Sequence, residues 1–146
     1  MTSLLFVDDE PHNIEAVIKI LNESIDVDIH LVMSVEDAIQ KLNDHEFDVV
    51  ITDIFIPLGK NARNNIGPRA RQYEENLRHL GGLALLDAID SLSSPPKVLA
   101  HTACTDFALL EVLGEHVVDR IPKPAAIDIV LKAILDCLDD SDPWQI

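Results

Sequence analysis

Basic residues are scarce in this chain. Lys and Arg total 11 against 26 Asp and Glu, a formal charge of −15. A surface that negative repels a phosphate backbone and an anionic bilayer, so neither nucleic acid nor membrane is an expected partner. It suits divalent cations, or a protein with a basic patch. Cysteine is nearly absent: Cys104 and Cys137 are too few for a disulfide framework and read as reduced thiols. No apolar run approaches the roughly 18–20 residues needed to span a bilayer. The opening MTSLLFVDDE lacks a basic stretch followed by a long apolar one, so no signal peptide is expected. Internal repeats and low-complexity tracts are missing too. What remains is 146 residues, 47% apolar and 25% charged, enough for one ordinary core. The expectation is a soluble, acidic, cytoplasmic domain over 1–140 with a short acidic tail at 141–146.

Two kinds of segment alternate along the chain. Short β-branched runs fall at Ser3–Val7, Val27–Val32, Phe47–Thr52, Lys97–His101 and Val117–Ile121. Between them lie helical spacings: Ile14, Val17, Ile18 and Leu21, then Val35, Ala38, Ile39 and Leu42, and later Ile127, Leu131, Ile134 and Leu138. Pro11 sits where a first helical residue would, and Ser34 with Asp37 resembles a capping box. Ser93-Ser94-Pro95-Pro96 breaks the chain before the fourth strand. Five strands alternating with helices predict an α/β fold, a doubly wound parallel sheet covered on both faces. The first, third and fourth strands read as nearly continuous apolar runs, as burial on both faces requires.

One stretch interrupts the alternation. From Leu58 to Leu80 the chain is polar and holds five of the eleven basic residues, Lys60, Arg63, Arg69, Arg71 and Arg78, against Glu74 and Glu75. Gly59 to Gly67 reads as a loop, and Pro68 as the opening of a helix. So long a polar connection is uncommon in a compact domain. Its arginines are either a solvated face, or a surface that docks an acidic partner or folds over a neighbouring pocket.

In such a sheet, ligands bind beyond the carboxyl ends of the strands. Strand one delivers Asp8, Asp9 and Glu10 there, strand three Asp53, strand four Thr102, and strand five is followed by Lys123-Pro124. Carboxylates about 4 Å apart repel by roughly 4 kcal/mol per pair at an effective dielectric near 20. A fold that gathers them must raise their pKa values or supply a cation. Mg²⁺ prefers hard oxygens and bridges carboxylate to phosphate, and one carboxylate can then attack phosphorus. Taken alone, Asp8-Asp9-Glu10 is also a plain helix N-terminus favoured by the dipole. The six histidines show no paired spacing of a zinc site and read as surface or packing residues, His101 beside Thr102 included. Cys104 reads as a buried, inert thiol.

Four motifs together carry a resemblance: Leu5-Phe6-Val7-Asp8-Asp9-Glu10, Asp48 through Pro57, Ala100-His101-Thr102-Ala103, and Ile121-Pro122-Lys123-Pro124. The chain resembles a receiver domain of a two-component response regulator, over nearly its whole length. The resemblance implies a flavodoxin-like sheet in the order 2-1-3-4-5. It implies Asp53 as phosphoacceptor, with a sensor histidine kinase or histidine phosphotransfer protein as donor. Asp9, Asp53 and the Phe55 backbone carbonyl would ligate Mg²⁺, with Asp8 acting through water. Thr102 would hydrogen-bond the phosphoryl group and Lys123 would pair with it. The Lys123-Pro124 bond is a candidate for cis geometry, and the small Ala103 leaves room for a donor. Output would be a downstream protein target.

Two departures stand beside this. Arg120 occupies the position, three before the lysine, where the family often carries an aromatic switch residue. The 58–80 segment, with Arg63 and Arg69, is an insertion on the rim of the expected pocket. Both keep open a second reading, an interaction module that takes no phosphate. A third, an aspartate-nucleophile phosphatase of the haloacid-dehalogenase type, expects its nucleophile after the first strand in an Asp-x-Asp arrangement. Here the candidate follows strand three, with Phe55 at the second position. No enzyme activity beyond the chain's own phosphorylation and dephosphorylation is expected.

Overall fold

The computed structural model describes residues 2–10, 12, 14–54, 81–103, 117–123 and 125–138. Within them run β1 (Thr2–Val7), α1 (Glu15–Ser24), β2 (Val27–Val32), α2 (Val35–Asp44), β3 (Val49–Thr52), α3 (Gly81–Asp90), β4 (Lys97–Thr102), β5 (Val117–Pro122) and α4 (Ile127–Leu138). The five strands form one sheet in the order β2-β1-β3-β4-β5, every neighbouring pair parallel. This is the expected doubly wound order. Pro11, Phe55, the whole 58–80 segment, Cys104, Pro124 and the 141–146 tail lie outside the described residues.

Alternation along the strands divides the core in two. Leu5, Val7, Val50, Val98 and Ala100 face one side and meet Val35, Ala38 and Leu42 of α2 and Leu83, Leu86 and Ile89 of α3. Leu4, Phe6, Val49, Ile51 and Leu99 face the other and meet Val17 and Leu21 of α1 and Val130 and Ile134 of α4. Successive side chains point to opposite faces, so a strand covered on both must be apolar throughout. Each fully buried Leu, Ile or Phe contributes about 1.5–3 kcal/mol, so the central strands anchor the fold.

Local signals set the helix ends. The Ser34 hydroxyl caps α2 by accepting from the Asp37 backbone N–H at 3.2 Å. Glu36 and Asp37 in its first turn and Lys41 in its last suit the helix dipole. The described start of α1 is Glu15, preceded by Ile14 in the cap position without a side-chain bond.

The last helix corrects the sequence reading. Val130, Ile134 and Cys137 are its buried positions, whereas Ile127 is 44% exposed and Leu131 and Leu138 are only partly buried. With Ile, Val and Leu around much of its circumference, α4 has no sharp polar face, and an i, i+4 pattern can be drawn on more than one side. Phe47 also lies outside β3, which begins at Val49, although its ring is buried.

Candidate functional site

The backbone ladder extends one residue beyond three strands. Asp8 N–H donates to Val32 O at 3.1 Å, Asp53 N–H to Val7 O at 3.1 Å, and Lys123 N–H to Thr102 O at 3.1 Å. Three chemically distinct side chains are thereby fixed at one edge of the sheet, from elements up to 115 residues apart.

Lys123 joins them. Its Nζ donates to Asp8 Oδ2 and to Asp53 Oδ2, each at 2.8 Å. Asp8 is 3% exposed and Asp53 7%. The second oxygen of Asp8, Oδ1, accepts from the Glu10 backbone N–H at 2.9 Å, which turns the chain sharply after β1. The Thr52 hydroxyl donates to the Asp53 carbonyl at 2.9 Å and holds the backbone on which the carboxylate stands. Thr102 is buried at the end of β4, one strand over from Asp53. Asp9 is exposed at the rim, as is Ala103.

Charge at this edge is unbalanced. Among the described residues, Asp8, Asp9 and Asp53 face a single ammonium. Burial tends to lower the Lys123 pKa, but the hydrogen bonds to Asp53 and Asp8 and their charges outweigh it, and the net direction is upward. The Asp9 carboxyl is raised from its ordinary value, first by burial and then by the charges of Asp8, Glu10 and Asp53, against the opposing effect of its own backbone hydrogen bond. Among the described residues, negative charge is thus in excess beside the lysine. The donors are all hard oxygens, the type that suits a small divalent cation. Among the described residues no group of three His, Cys, Asp or Glu side chains is already arranged to hold a metal. A cation that keeps several waters needs only one or two protein carboxylates, so the donor chemistry of Asp8, Asp9 and Asp53 fits such an ion.

The sequence reads His101 as a packing residue, and the structure buries it in β4. It is 5% exposed, and its Nδ1 is sealed from solvent without a hydrogen-bond partner among the described residues. Such an unpaired polar atom costs about 1–3 kcal/mol. Burial foremost, then the Lys123 charge, lower its pKa against the opposing pull of Asp8 and Asp53, so the ring is neutral at pH 7. The one available signal was its place next to Thr102 in a strand buried on both faces. Arg120 lies exposed on β5, its backbone N–H bonded to Asp119 Oδ1 at 2.8 Å.

No family model and no curated protein matches the sequence. Solved structures do match. A CheY-like response regulator receiver domain protein from Methanospirillum hungatei is similar at 20% identity, covering 95% of this chain and 94% of that one, with a TM-score of 0.70. A signal receiver domain of a two-component histidine kinase from Clostridium thermocellum gives 18% identity, 94% and 98% coverage, and a TM-score of 0.71. The receiver domain of a LuxO repressor protein from Vibrio parahaemolyticus gives 20%, 94% and 89%, and 0.71. The fold is therefore that of response-regulator receiver domains. Among the described residues no helix is long and apolar enough to cross a membrane.

Proposed function

We propose that this chain is a phosphoacceptor receiver of a two-component or phosphorelay system. Asp53 takes a phosphoryl group from a phosphohistidine donor, with Mg²⁺ bound, and the modified domain signals to a downstream protein. The observation that carries the reading is the Asp53 carboxylate, buried at the carboxyl end of β3 and held by Lys123 Nζ at 2.8 Å beside Asp8.

An Asp53 carboxylate oxygen forms the bond to phosphorus while the P–N bond of the donor breaks, its electron pair leaving with the imidazole. Lys123 already sits against the attacking carboxylate and follows the growing charge on the phosphoryl oxygens. Thr102 supplies a hydroxyl from the adjacent strand. Asp9, Asp53 and Asp8 would hold the Mg²⁺, whose contribution when bound is to offset the carboxylate and phosphoryl charge that one lysine cannot match. Phe55, whose carbonyl completes the expected ligand set, lies outside the described residues.

Acetyl phosphate with Mg²⁺ tests this directly. The wild-type chain is expected to form a hydroxylamine-labile acyl phosphate, and Asp53→Ala none. A wild-type chain that never takes up phosphate, and shows no beryllofluoride-induced spectral change, is an interaction module instead. Turnover of small phosphoesters would point to the phosphatase reading.

A further inference from the structure

A hollow of about 290 Å³ opens at the end of the sheet opposite Asp53, where β3 and β4 begin. It lies between the last turn of α2 and the turn that follows α3. Leu42 and Phe47, both buried, and the half-buried Leu92 and Pro96 give it an apolar floor. Asp44 and Glu46 stand exposed on its rim. The aromatic side is built in advance. The Phe47 ring packs edge to face on His30 at 5.3 Å, and the His45 ring lies 5.2 Å from His30 and 6.1 Å from Phe47. His30 is itself held by Asp28, its Nε2 lying 3.0 Å from Asp28 Oδ2. Rings already fixed by one another lose little freedom when a ligand settles on them.

The charge of the lining selects the occupant. Among the described residues no Lys or Arg lines the hollow; Lys41 precedes it on α2 without reaching its wall. Lys97, next to Pro96, sends its Nζ to the Cys137 carbonyl at 3.2 Å, on the face of the sheet covered by α4. Two helices also end here, and the carboxyl end of a helix carries partial negative charge. A cation mounted on hydrocarbon fits both the rim and the floor. Guanidinium suits them better than ammonium, because it is planar, weakly hydrated, stacks on aromatic rings and meets carboxylates through a fork of donors. The chain's net charge of −15 draws basic partners toward it from a distance.

We propose that this hollow docks a basic segment of a partner protein, with one arginine seated against His45 and Phe47, its guanidinium at Asp44 and Glu46, and flanking apolar residues over Leu42, Leu92 and Pro96. The surface shares no residue with the phosphoacceptor site. It is tested on the unphosphorylated chain without any phosphodonor, so either conclusion stands or falls alone.

A blocked tripeptide with arginine between two leucines is a suitable probe, with citrulline in place of the arginine as its uncharged isostere. Titration followed by ¹H–¹⁵N correlation spectra in low-salt buffer should give saturable shifts at Asn43, His45, Phe47 and Ser94, and none at Asp53 or Lys123. The arginine peptide should bind at least about fivefold tighter than the citrulline one. Asp44→Asn combined with Glu46→Gln alters only exposed side chains, so the fold is kept, and should erase that preference. Ser94→Trp, at another exposed lining position, should fill the hollow and weaken both peptides. Glycines in place of the two leucines should weaken binding as well, since the apolar floor then goes uncovered. Equal affinities for the arginine and citrulline peptides, a preference that survives in the double variant, shifts that never saturate, undiminished binding in Ser94→Trp, or full affinity of the glycine-flanked peptide each overturn the proposal.

Discussion

The two ends of β3 carry the same residue and treat it in opposite ways. At the entrance Asp48 is exposed and works as a clasp. Its N–H donates to Ser3 O at 2.9 Å, its carbonyl accepts from Lys97 N–H at 3.1 Å, and its Oδ2 accepts from Ser3 N–H at 2.8 Å. One aspartate thus ties β3 to both its neighbours. Around it, Lys97 Nζ closes onto the Cys137 carbonyl at 3.2 Å, and the His30 and Phe47 rings pack edge to face at 5.3 Å. At the exit Asp53 keeps a backbone bond to Val7 O at 3.1 Å, but its side chain is buried, opposed by other acids and joined to Lys123. The entrance spends its polar groups on closing the backbone. The exit concentrates charge that the fold alone does not neutralise, which is where a chemical role is to be sought.

The sharpest way to break this comparison is to exchange the fates of the two aspartates. Asp53→Asn is expected to abolish acyl-phosphate formation from acetyl phosphate altogether, as the nucleophile is gone. Asp48→Asn should leave phosphorylation at the wild-type rate. If both variants accept phosphate equally, the exit has no privileged carboxylate and the division between the two ends fails.

Next in size is Lys123→Met. The lysine bridges Asp8 and Asp53, whose side chains are 4% and 9% exposed. Removing one partner of a buried charge pair leaves the other uncompensated, and a loss of about 3 kcal/mol in urea unfolding at pH 7 is expected. One pH trend accompanies it. In the wild type, the Lys123 pKa is raised above its ordinary 10.5. Its contribution is therefore fully present below the unfolded value and is lost as pH climbs through the folded one. A wild-type stability that holds flat through the alkaline range removes the lysine from its assigned place.

Asp48→Ala sits below that. It forfeits one exposed, charge-assisted hydrogen bond to the Ser3 N–H, worth about 1 kcal/mol, and should lower stability without touching the acceptor. A loss as large as that of Lys123→Met would make the entrance as critical as the exit.

How much of this was legible beforehand follows from what each residue depends on. The strands were readable because Leu4 to Val7 and Val49 to Ile51 are apolar on both faces, the pattern expected of a covered parallel sheet. Asp8, Asp53 and Lys123 were placed at one edge because each follows its strand directly, and the ladder continues through their own N–H groups. The face of α4 was misjudged because Ile127, Ile129 and Leu135 are apolar yet exposed, so periodicity had no polar side to lock onto. The unpaired nitrogen of His101 was not legible for a different reason. Composition can say that a histidine lies in a strand, but whether its nitrogen finds a partner depends on α1, α4 and the loop after β5, three elements distant in sequence.

The smallest expected effect probes the surplus charge at the exit. Asp9 is exposed, so solvent screening keeps its energetic weight low. Its carboxyl is nonetheless pushed upward, by burial first and by Asp8, Glu10 and Asp53 after that. A carboxyl whose folded pKa exceeds its unfolded value penalises the native state once ionised. The penalty is present above the folded pKa and is relieved as pH falls through it. Asp9→Asn should therefore raise the melting temperature of the metal-free chain at pH 7 by about 1 °C, a gain that fades in acid. Added Mg²⁺ should reverse the ranking, because the wild type gains an ion that binds the folded state and the variant loses a carboxylate to hold it. At the entrance, Asp48→Asn should show no such reversal. Should Mg²⁺ stabilise Asp9→Asn and wild type alike, the ion is not held where the charge is in excess, and the asymmetry between the two ends of β3 is one of burial alone.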